Sequence, residues 1–528
     1  MQFGSPQGNL PTTTTKDFSR GPTADIRRST FNRSHGLKTT LNADNLVPIF
    51  TDEVLPGDTF QINTHGFGRL ATPIHPYIDN MYIETFFFYC PYRLVWDNFQ
   101  KFMGEKDNPG DSIDYLIPQI EDTSVAEGSL FDYFGIVPGK TLSFNNLVGR
   151  SHNLVFNTWF RDQNTQDSLV VDRDDGPDDI ADYVIVKRNK RHNYFTSALP
   201  TPQSGDAVDL PLGTTAPIKY DMFVDGSTNN ANNQFVVNQA VSTDGDLRGR
   251  YGATLGVDTG PLDDNSKSNL VADLSNASSA TINQLREAFQ LQAFLEKENR
   301  GGSRYKEMIY SMFGVLTGDA RLDRPEYLGG GRSRITVQPV PQTSSTDSTT
   351  PQGNVSGYGY MAFSDHKASK SFTEHGCIIG LANIYADQTF GQGIDRSWFR
   401  RDRYDLYWPA FAHLGEQSIL NKEIYAQGNA DDEETFGFQE RYAEYRYKPS
   451  MLTGKMRSNV TGSLDTWHLA QDFASKPELN SSFITSNTPV DRVIAVTDEP
   501  QFILDLYFDL KSTRPMPVYG TPLSLSRF

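Results

Sequence analysis

Two cysteines in 528 residues, Cys90 and Cys377, are too few for a disulfide framework, so stability must come from burial, and the chain reads as made in a reducing compartment. Long apolar runs are missing as well. No stretch approaches the roughly 18 residues of a membrane-spanning helix, and MQFGSPQGNLPTTTTKDFSRG at the start lacks the apolar core of a signal peptide, which predicts a soluble product of cytoplasmic synthesis. Positive charge is scarce: 48 Lys and Arg face 65 Asp and Glu, a net charge of −17. Such a chain repels nucleic acid as a whole and needs a local basic patch, or a basic partner, to lie against phosphates. Signatures of common catalytic sites are absent too. There is no HExxH, CxxC or GxSxG, and the nine His are dispersed, so zinc hydrolysis and a nucleophile elbow have no local support. GIVPGKT has three residues between Gly135 and Gly139 where a phosphate-cradling loop needs four, and it reads as a turn.

What is abundant is turn chemistry and aromatic bulk: 42 Gly, 29 Pro and 12% aromatics describe a loop-rich β protein. The stretch from His35 to Tyr92 shows it best, with short β-like segments separated by Asn, Asp, Gly and Pro, the grammar of an antiparallel β-sandwich. In MYIETFFFYCPY, Met81, Ile83, Phe87 and Tyr89 fall on one face of a strand, and Tyr82, Phe86, Phe88 and Cys90 on the other. Both faces want cover. At the far end, Phe502, Leu504, Leu506, Phe508 and Leu510 alternate with Ile503, Asp505, Tyr507 and Asp509, the pattern of a core strand over 501–510.

Residues 1–34 form a Thr-, Ser- and Pro-rich arm of local charge +3. Its Arg27, Arg28 and Arg33, with Phe18 and Phe31, are candidates for contact with nucleic acid or a neighbouring subunit; the plainer reading is a solvated terminus. The section 35–200 reads as the first part of the β body with loop and helix insertions. PYRLVWDNFQKFMGE predicts a turn into a short helix, and Leu147, Leu154, Val155 and Trp159 predict a second helix packed on the sandwich. DRDDGPDD at 172–179 resembles a calcium loop only superficially, since Gly176 stands where a third oxygen ligand belongs and no Glu closes the loop; an Asp-rich surface turn is the plainer reading.

Residues 201–280 differ from their surroundings: 31 of these 80 are Gly, Ser, Thr or Asn, four are aromatic, and their net charge is −6. A segment of that composition buries little of its own surface and reads as an exposed insertion. It ends at TINQLREAFQLQAFLEKENRGG, where Thr281 and Gln284 suggest a capping box, Ile282, Leu285, Phe289 and Ala293 form an apolar stripe, and Gly301 and Gly302 stop the helix. The second part of the body then runs over 281–528.

RPEYLGGG at 324–331, SFTEHGCIIGLANIYAD at 371–387, RYDLYWPAFAHLGEQSILNKEIY at 403–425, YAEYRYKPSMLTGK at 442–455 and TWHLAQDF at 466–473 resemble the major capsid protein of small single-stranded DNA phages, the gokushovirus branch of the Microviridae. HGLKTTLNADNLVPIFTDEVLPGDTF and FDLKSTRPMPVYGTP resemble the same family. The resemblance implies an eight-stranded viral jelly roll with long loop insertions and a few short helices. It further implies a bacteriophage virion component, assembled in the host bacterial cytoplasm into a T=1 icosahedral shell around single-stranded DNA. The implied partners are other copies of the chain, a small basic DNA-binding protein, a scaffolding protein, a pilot protein and a host cell-surface receptor. The family's insertion forms a protrusion near the three-fold axes, a site of host attachment, and 201–280 is its place here. In the jelly-roll order the last strand lies beside an early one, so 501–510 is expected to pair with Asn80–Tyr92. No cofactor, metal or catalytic residue is expected.

The competing reading is a β-sandwich that binds or cleaves carbohydrate. Its best local support is the pair Glu433 and Glu434 in DDEET, yet adjacent charges in an acidic run are the usual composition of a solvated loop. His35, His375, His413 and His468 read as hydrogen-bonded structural or interface residues.

Overall fold

The computed structural model describes residues 27–205, 218–220, 270–272, 282–301, 311, 323–344, 346 and 351–519. The chain divides into two compact units: Met1–Pro202 with Gly302–Phe528, and Gln203–Gly301. Strands in the first half are β1 (Ser29–Asn32), β2 (His35–Leu41), β3 (Val47–Val54), β4 (Thr59–Leu70) and β5 (Met81–Pro91), then the hairpin partners β6 (Gln119–Ser124) and β7 (Thr141–Asn145). The smaller unit contributes the paired β8 (Ile218–Tyr220) and β9 (Leu270–Ala272). After it come β10 (Glu326–Pro341), β11 (Val355–Ser371), β12 (Gly376–Ala386), the pair β13 (Glu416–Leu420) and β14 (Thr435–Glu440), and finally β15 (Phe502–Arg514).

The main sheet runs β1-β15-β4-β11-β10-β5-β12-β3, with β2 also on β15, and every pairing is antiparallel. Between β11 and β10 it folds over into two layers, β2-β15-β4-β11 and β3-β12-β5-β10. Successive strands β2, β3, β4 and β5 alternate between the layers, and β11, β12 and β15 do so on the return. Two interlocked Greek keys of this kind make a jelly roll.

The two layers meet through the predicted apolar faces. Phe502, Leu504, Leu506, Phe508 and Leu510 of β15 are buried while Ile503 and Tyr507 are exposed. They pack with Met81, Ile83, Phe87 and Tyr89 of β5 in one core, in which the Phe50 ring lies 5.3 Å from Phe508 and 5.9 Å from Phe87. The expected pairing of 501–510 with Asn80–Tyr92 is wrong, however. β15 hydrogen-bonds to β4 (Leu506 opposite Gly66) and to β2 (Leu506 opposite Leu37), whereas β5 lies in the facing layer between β10 and β12. Alternation specifies which face a strand buries, not which strand lies at its edge.

β10 turns the corner between the layers. Residues 331–335 pair only with β5, residues 336–341 only with β11, and Gly329 and Gly330 pair with both. Three consecutive glycines permit this. A Cβ on Gly330 would overlap the Thr85 carbonyl oxygen, one on Gly331 would occupy the space of the His366 ring, and Gly329 has φ +150°.

The other face of β5 and β12 is covered by the insertion that follows β5, so all eleven residues of β12 are buried. This cover contains α1 (Phe99–Phe102), α2 (Leu130–Tyr133) and α3 (Leu147–Trp159). Leu147 and Val155 of α3, with Val95 and Trp96, form a second core against Phe88, Cys90, Cys377, Ile379 and Leu381. Both helices expected here are present. In the smaller unit, α4 (Ile282–Gly301) has the expected extent, although Phe289 and Leu291 stay exposed among the described residues; Thr281, its proposed cap, lies outside them. No helix among the described residues is long and apolar enough to cross a membrane.

Candidate assembly and nucleic-acid surfaces

The Asp-rich run at 172–179 fastens the inserted cover internally. Asp178 is buried and receives Nε of the fully buried Arg150 at 2.7 Å, a second bond from the Arg150 Nη2, one from Asn146, and the Tyr183 hydroxyl at 3.1 Å. Arg150 also donates to the carbonyls of Val95 (3.1 Å) and Asp174 (2.8 Å), and Trp96 donates to Asp175 at 2.7 Å. Burial alone would raise the Asp178 pKa, but the hydrogen bonds and charge of Arg150 outweigh it and hold the carboxyl below its usual range. The run is thus a mixture of solvated Asp174 and a buried anion, not simply a surface turn. Among the described residues no group of three or more His, Cys, Asp or Glu could hold a metal ion.

The three arginines singled out in the arm lie at the sheet edge carrying β1. Arg28 donates to the Gly57 carbonyl and, at 3.0 Å, to the Thr59 hydroxyl. Arg33 forms a two-pronged ion pair with Asp52 of β3, its Nη2 at 3.1 Å from Oδ1. Arg27 is exposed. The end of the arm is therefore structural: Ser29–Asn32 pair with Lys511–Arg514, and two of the three guanidinium groups fasten it. Phe18 lies outside the described residues.

Sequence reading passed over a second basic run, Lys187-Arg188-Asn189-Lys190-Arg191-His192. Its local charge density was the available signal. Most of that charge is spent inside the fold: Arg188 and Arg191 both bond Glu84, which also accepts from the Tyr385 hydroxyl at 3.0 Å. Lys190 is buried, donating to the Phe483 carbonyl with its ammonium 4.4 Å from that ring centre, and burial pushes its pKa down to about 8. Burial would raise Glu84, but Arg188 and then Arg191 bring it below the usual carboxylate range.

Most of the remaining candidates make structural contacts. Glu433 and Glu434 diverge to separate lysines, Lys422 at 2.7 Å and Lys476 at 2.8 Å, rather than facing each other across a cleft. The His35 ring contacts Phe50 and Phe508 and its Nδ1 bonds the Arg33 carbonyl at 2.9 Å; His468 Nε2 bonds the Met456 carbonyl at 2.8 Å. His375 lies 6.1 Å from the Phe99 ring, and His413 is exposed. Gly135 and Gly139 both have positive φ, as a turn requires. Missed altogether was His366, which spans the layers with its two nitrogens 2.9 Å from the Thr85 and Ser333 hydroxyls.

An eight-stranded jelly roll, its inner faces packed together and one outer face sealed by inserted helices, is an architecture of the viral shell class, shared with some lectins. Residues 19–524 match the family described as Capsid protein (F protein). The chain is 47% identical to capsid protein VP1 of Bdellovibrio phage phiMH2K over 97% of its own length and 98% of that protein's. It is 44% identical to capsid protein VP1 of Chlamydia phage 1 (97% and 98%) and 36% identical to capsid protein VP1 of Spiroplasma virus 4 (96% and 97%). The chain therefore belongs to this phage capsid protein family of the Microviridae. It is a structural component of the virion that assembles into a multimeric shell.

Proposed function

We propose that copies of this chain close into a T=1 icosahedral shell around a circular single-stranded DNA genome, in a role that is structural and not enzymatic. The observation that carries the reading is the complete two-layer jelly roll in a chain matched over nearly its full length by phage capsid proteins. Symmetry then repeats each contact between copies around five-, three- and two-fold axes. The net charge of −17 means that the packaged polyanion needs counter-charge from elsewhere, which is the role of a small basic DNA-binding protein. Scaffolding and pilot proteins are the further assembly partners. The composition of residues 201–280 supports their reading as an exposed protrusion that meets the host receptor.

DNA contact at Arg27, Arg28 and Arg33 belongs to this proposal, and Arg27 is its sharpest probe because Arg28 and Arg33 already hold the sheet edge. Electron microscopy and sedimentation of the purified protein test the main claim. Closed isometric shells are expected; a small species that binds or cleaves sugar would overturn it. Arg27→Gln should reduce DNA per particle while shell stability holds, and unchanged DNA content removes Arg27 from the proposal.

A further inference from the structure

The segments 394–414 and 441–451 of the larger unit bring exposed aromatic, apolar and basic side chains together. Trp398 is 82% exposed, Leu414 66%, Met451 63%, Tyr407 51% and Trp408 48%. Trp, Tyr, Met and Arg are the residues that concentrate at the centres of protein interfaces, and a solvated surface does not ordinarily gather them.

This surface is already ordered. The Trp408 indole donates to the Arg403 carbonyl at 2.7 Å, the Tyr407 amide to the Tyr445 hydroxyl at 3.3 Å, and the Tyr407 and Tyr442 rings meet edge-to-face at 5.1 Å. Arg400 lies over Tyr445 at 4.4 Å. Side chains held in this way lose little freedom when a partner arrives.

The charge pattern says what the partner presents. Beside the aromatic cluster is a cleft of about 540 Å³. Some of its cations have carboxylates: Arg396 with Glu423 (2.8 Å), Arg400 with Glu444 (3.2 Å) and Lys422 with Glu433 (2.7 Å). Arg401, Arg403 and Arg441 make no ion pair among the described residues, and the Nε atoms of Arg400 and Arg441 are buried without an acceptor. The guanidinium groups of Arg401, Arg403 and Arg441 can each take a partner's carboxylate in a charge-assisted bond. On a chain of net charge −17, carboxylate is what the surface of another copy offers most.

We propose that this aromatic and arginine surface is a contact face between copies of the chain, receiving carboxylates of the neighbouring copy at Arg401, Arg403 and Arg441. The proposal rests on the capsid reading and names the part of the wall that makes one contact.

Two measurements test it. Trp398→Ser and Arg401→Glu alter side chains that point to solvent, so each variant should keep the wild-type circular dichroism spectrum and Tm while shell yield by sedimentation velocity falls at least tenfold. Wild-type yield in both overturns the proposal. Second, a photo-crosslinking benzoylphenylalanine placed at 398 is activated in shells grown from mixed ¹⁴N and ¹⁵N protein, which decides the matter even if a substitution impairs folding. Mixed-isotope crosslinks to an acidic surface of a second copy are expected. Crosslinks confined to one copy, to a different protein or to saccharide, or none at all, overturn it. If wild-type protein forms no shell, the capsid assembly reading fails; if it does and these arms fail, only the contact face is lost.

Discussion

Arg150 and Asp178 meet inside the inserted cover, beside Val95 of the second core, with both side chains shut off from solvent and Nε to Oδ2 at 2.7 Å. Removing one partner strands the other charge in a buried site. Arg150→Met should therefore destabilise the wall by about 3–5 kcal/mol, more than the double variant Arg150→Met with Asp178→Leu. Because the Asp178 pKa lies below its unfolded value, the stability that this pair provides is present above the ordinary carboxylate range. It is lost as pH falls through the depressed value. Acid unfolding followed by intrinsic fluorescence should show a steeper loss below about pH 4 for wild type than for the double variant. Parallel curves would remove the pair as the cause.

The corner of the jelly roll makes a backbone prediction. A methyl group at Gly330 meets the carbonyl of Thr85, an atom fixed by the pairing of β10 with β5, so it has no flexible neighbour to displace. Gly330→Ala should cost at least about 3 kcal/mol and abolish shell formation. Gly110, which has open space around it, serves as control: Gly110→Ala should change stability by no more than about 0.5 kcal/mol. Chemical denaturation of both variants checks the contrast.

Two histidines neither predicted nor exposed give the wall a pH response above the carboxylate range. Burial pushes His366 down to about 4, and burial likewise lowers His152 to about 4. A folded pKa below the unfolded one means that the unfolded chain takes up the proton first. The stability contributed by the neutral rings is complete above about pH 6.5 and is lost as pH falls towards 4, up to about 3 kcal/mol per site. His366→Gln, which removes the titrating ring but keeps a polar side chain, should flatten the pH 6.5 to 4 part of the stability curve. An unchanged slope there would sink this assignment.

Much of the wall was legible because it depends on period-two patterns. The faces of β5 and β15 follow directly from alternation, and the strand apolar on both sides did require a second covering layer, supplied by α3. Long-range pairings were not legible. Phe508 and Phe87 share a core, yet nothing local in either strand says that β15 hydrogen-bonds to β4 rather than β5. The same limit applies to charge. Arg33 looked available for phosphate because Asp52 is 19 residues away, and Asp178 looked solvated because Arg150 lies 28 residues before it. An amphipathic stripe such as that of α4 likewise names the side that wants cover without naming what covers it.

The two cysteines close the chemistry of the wall. Cys377 is the register partner of Cys90 on adjacent antiparallel strands, and both are free and buried. Proximity of this kind invites the idea of a switchable disulfide, but reactivity depends on the thiolate. Burial pushes Cys90 up to about 12, and Cys377 is raised as well, so at pH 8 only about one Cys90 in 10⁴ is ionised. Both thiols should thus resist an aromatic disulfide reagent in the folded protein at pH 8 and react together only as the wall unfolds. Their labelling rate should then follow the unfolding equilibrium with denaturant. Cys90→Ser should lower stability by about 1–3 kcal/mol by placing a hydroxyl in the apolar second core, without altering shell redox behaviour. Rapid labelling of native protein, or a disulfide formed under mild oxidant without loss of fold, would show that the thiols respond to redox conditions after all.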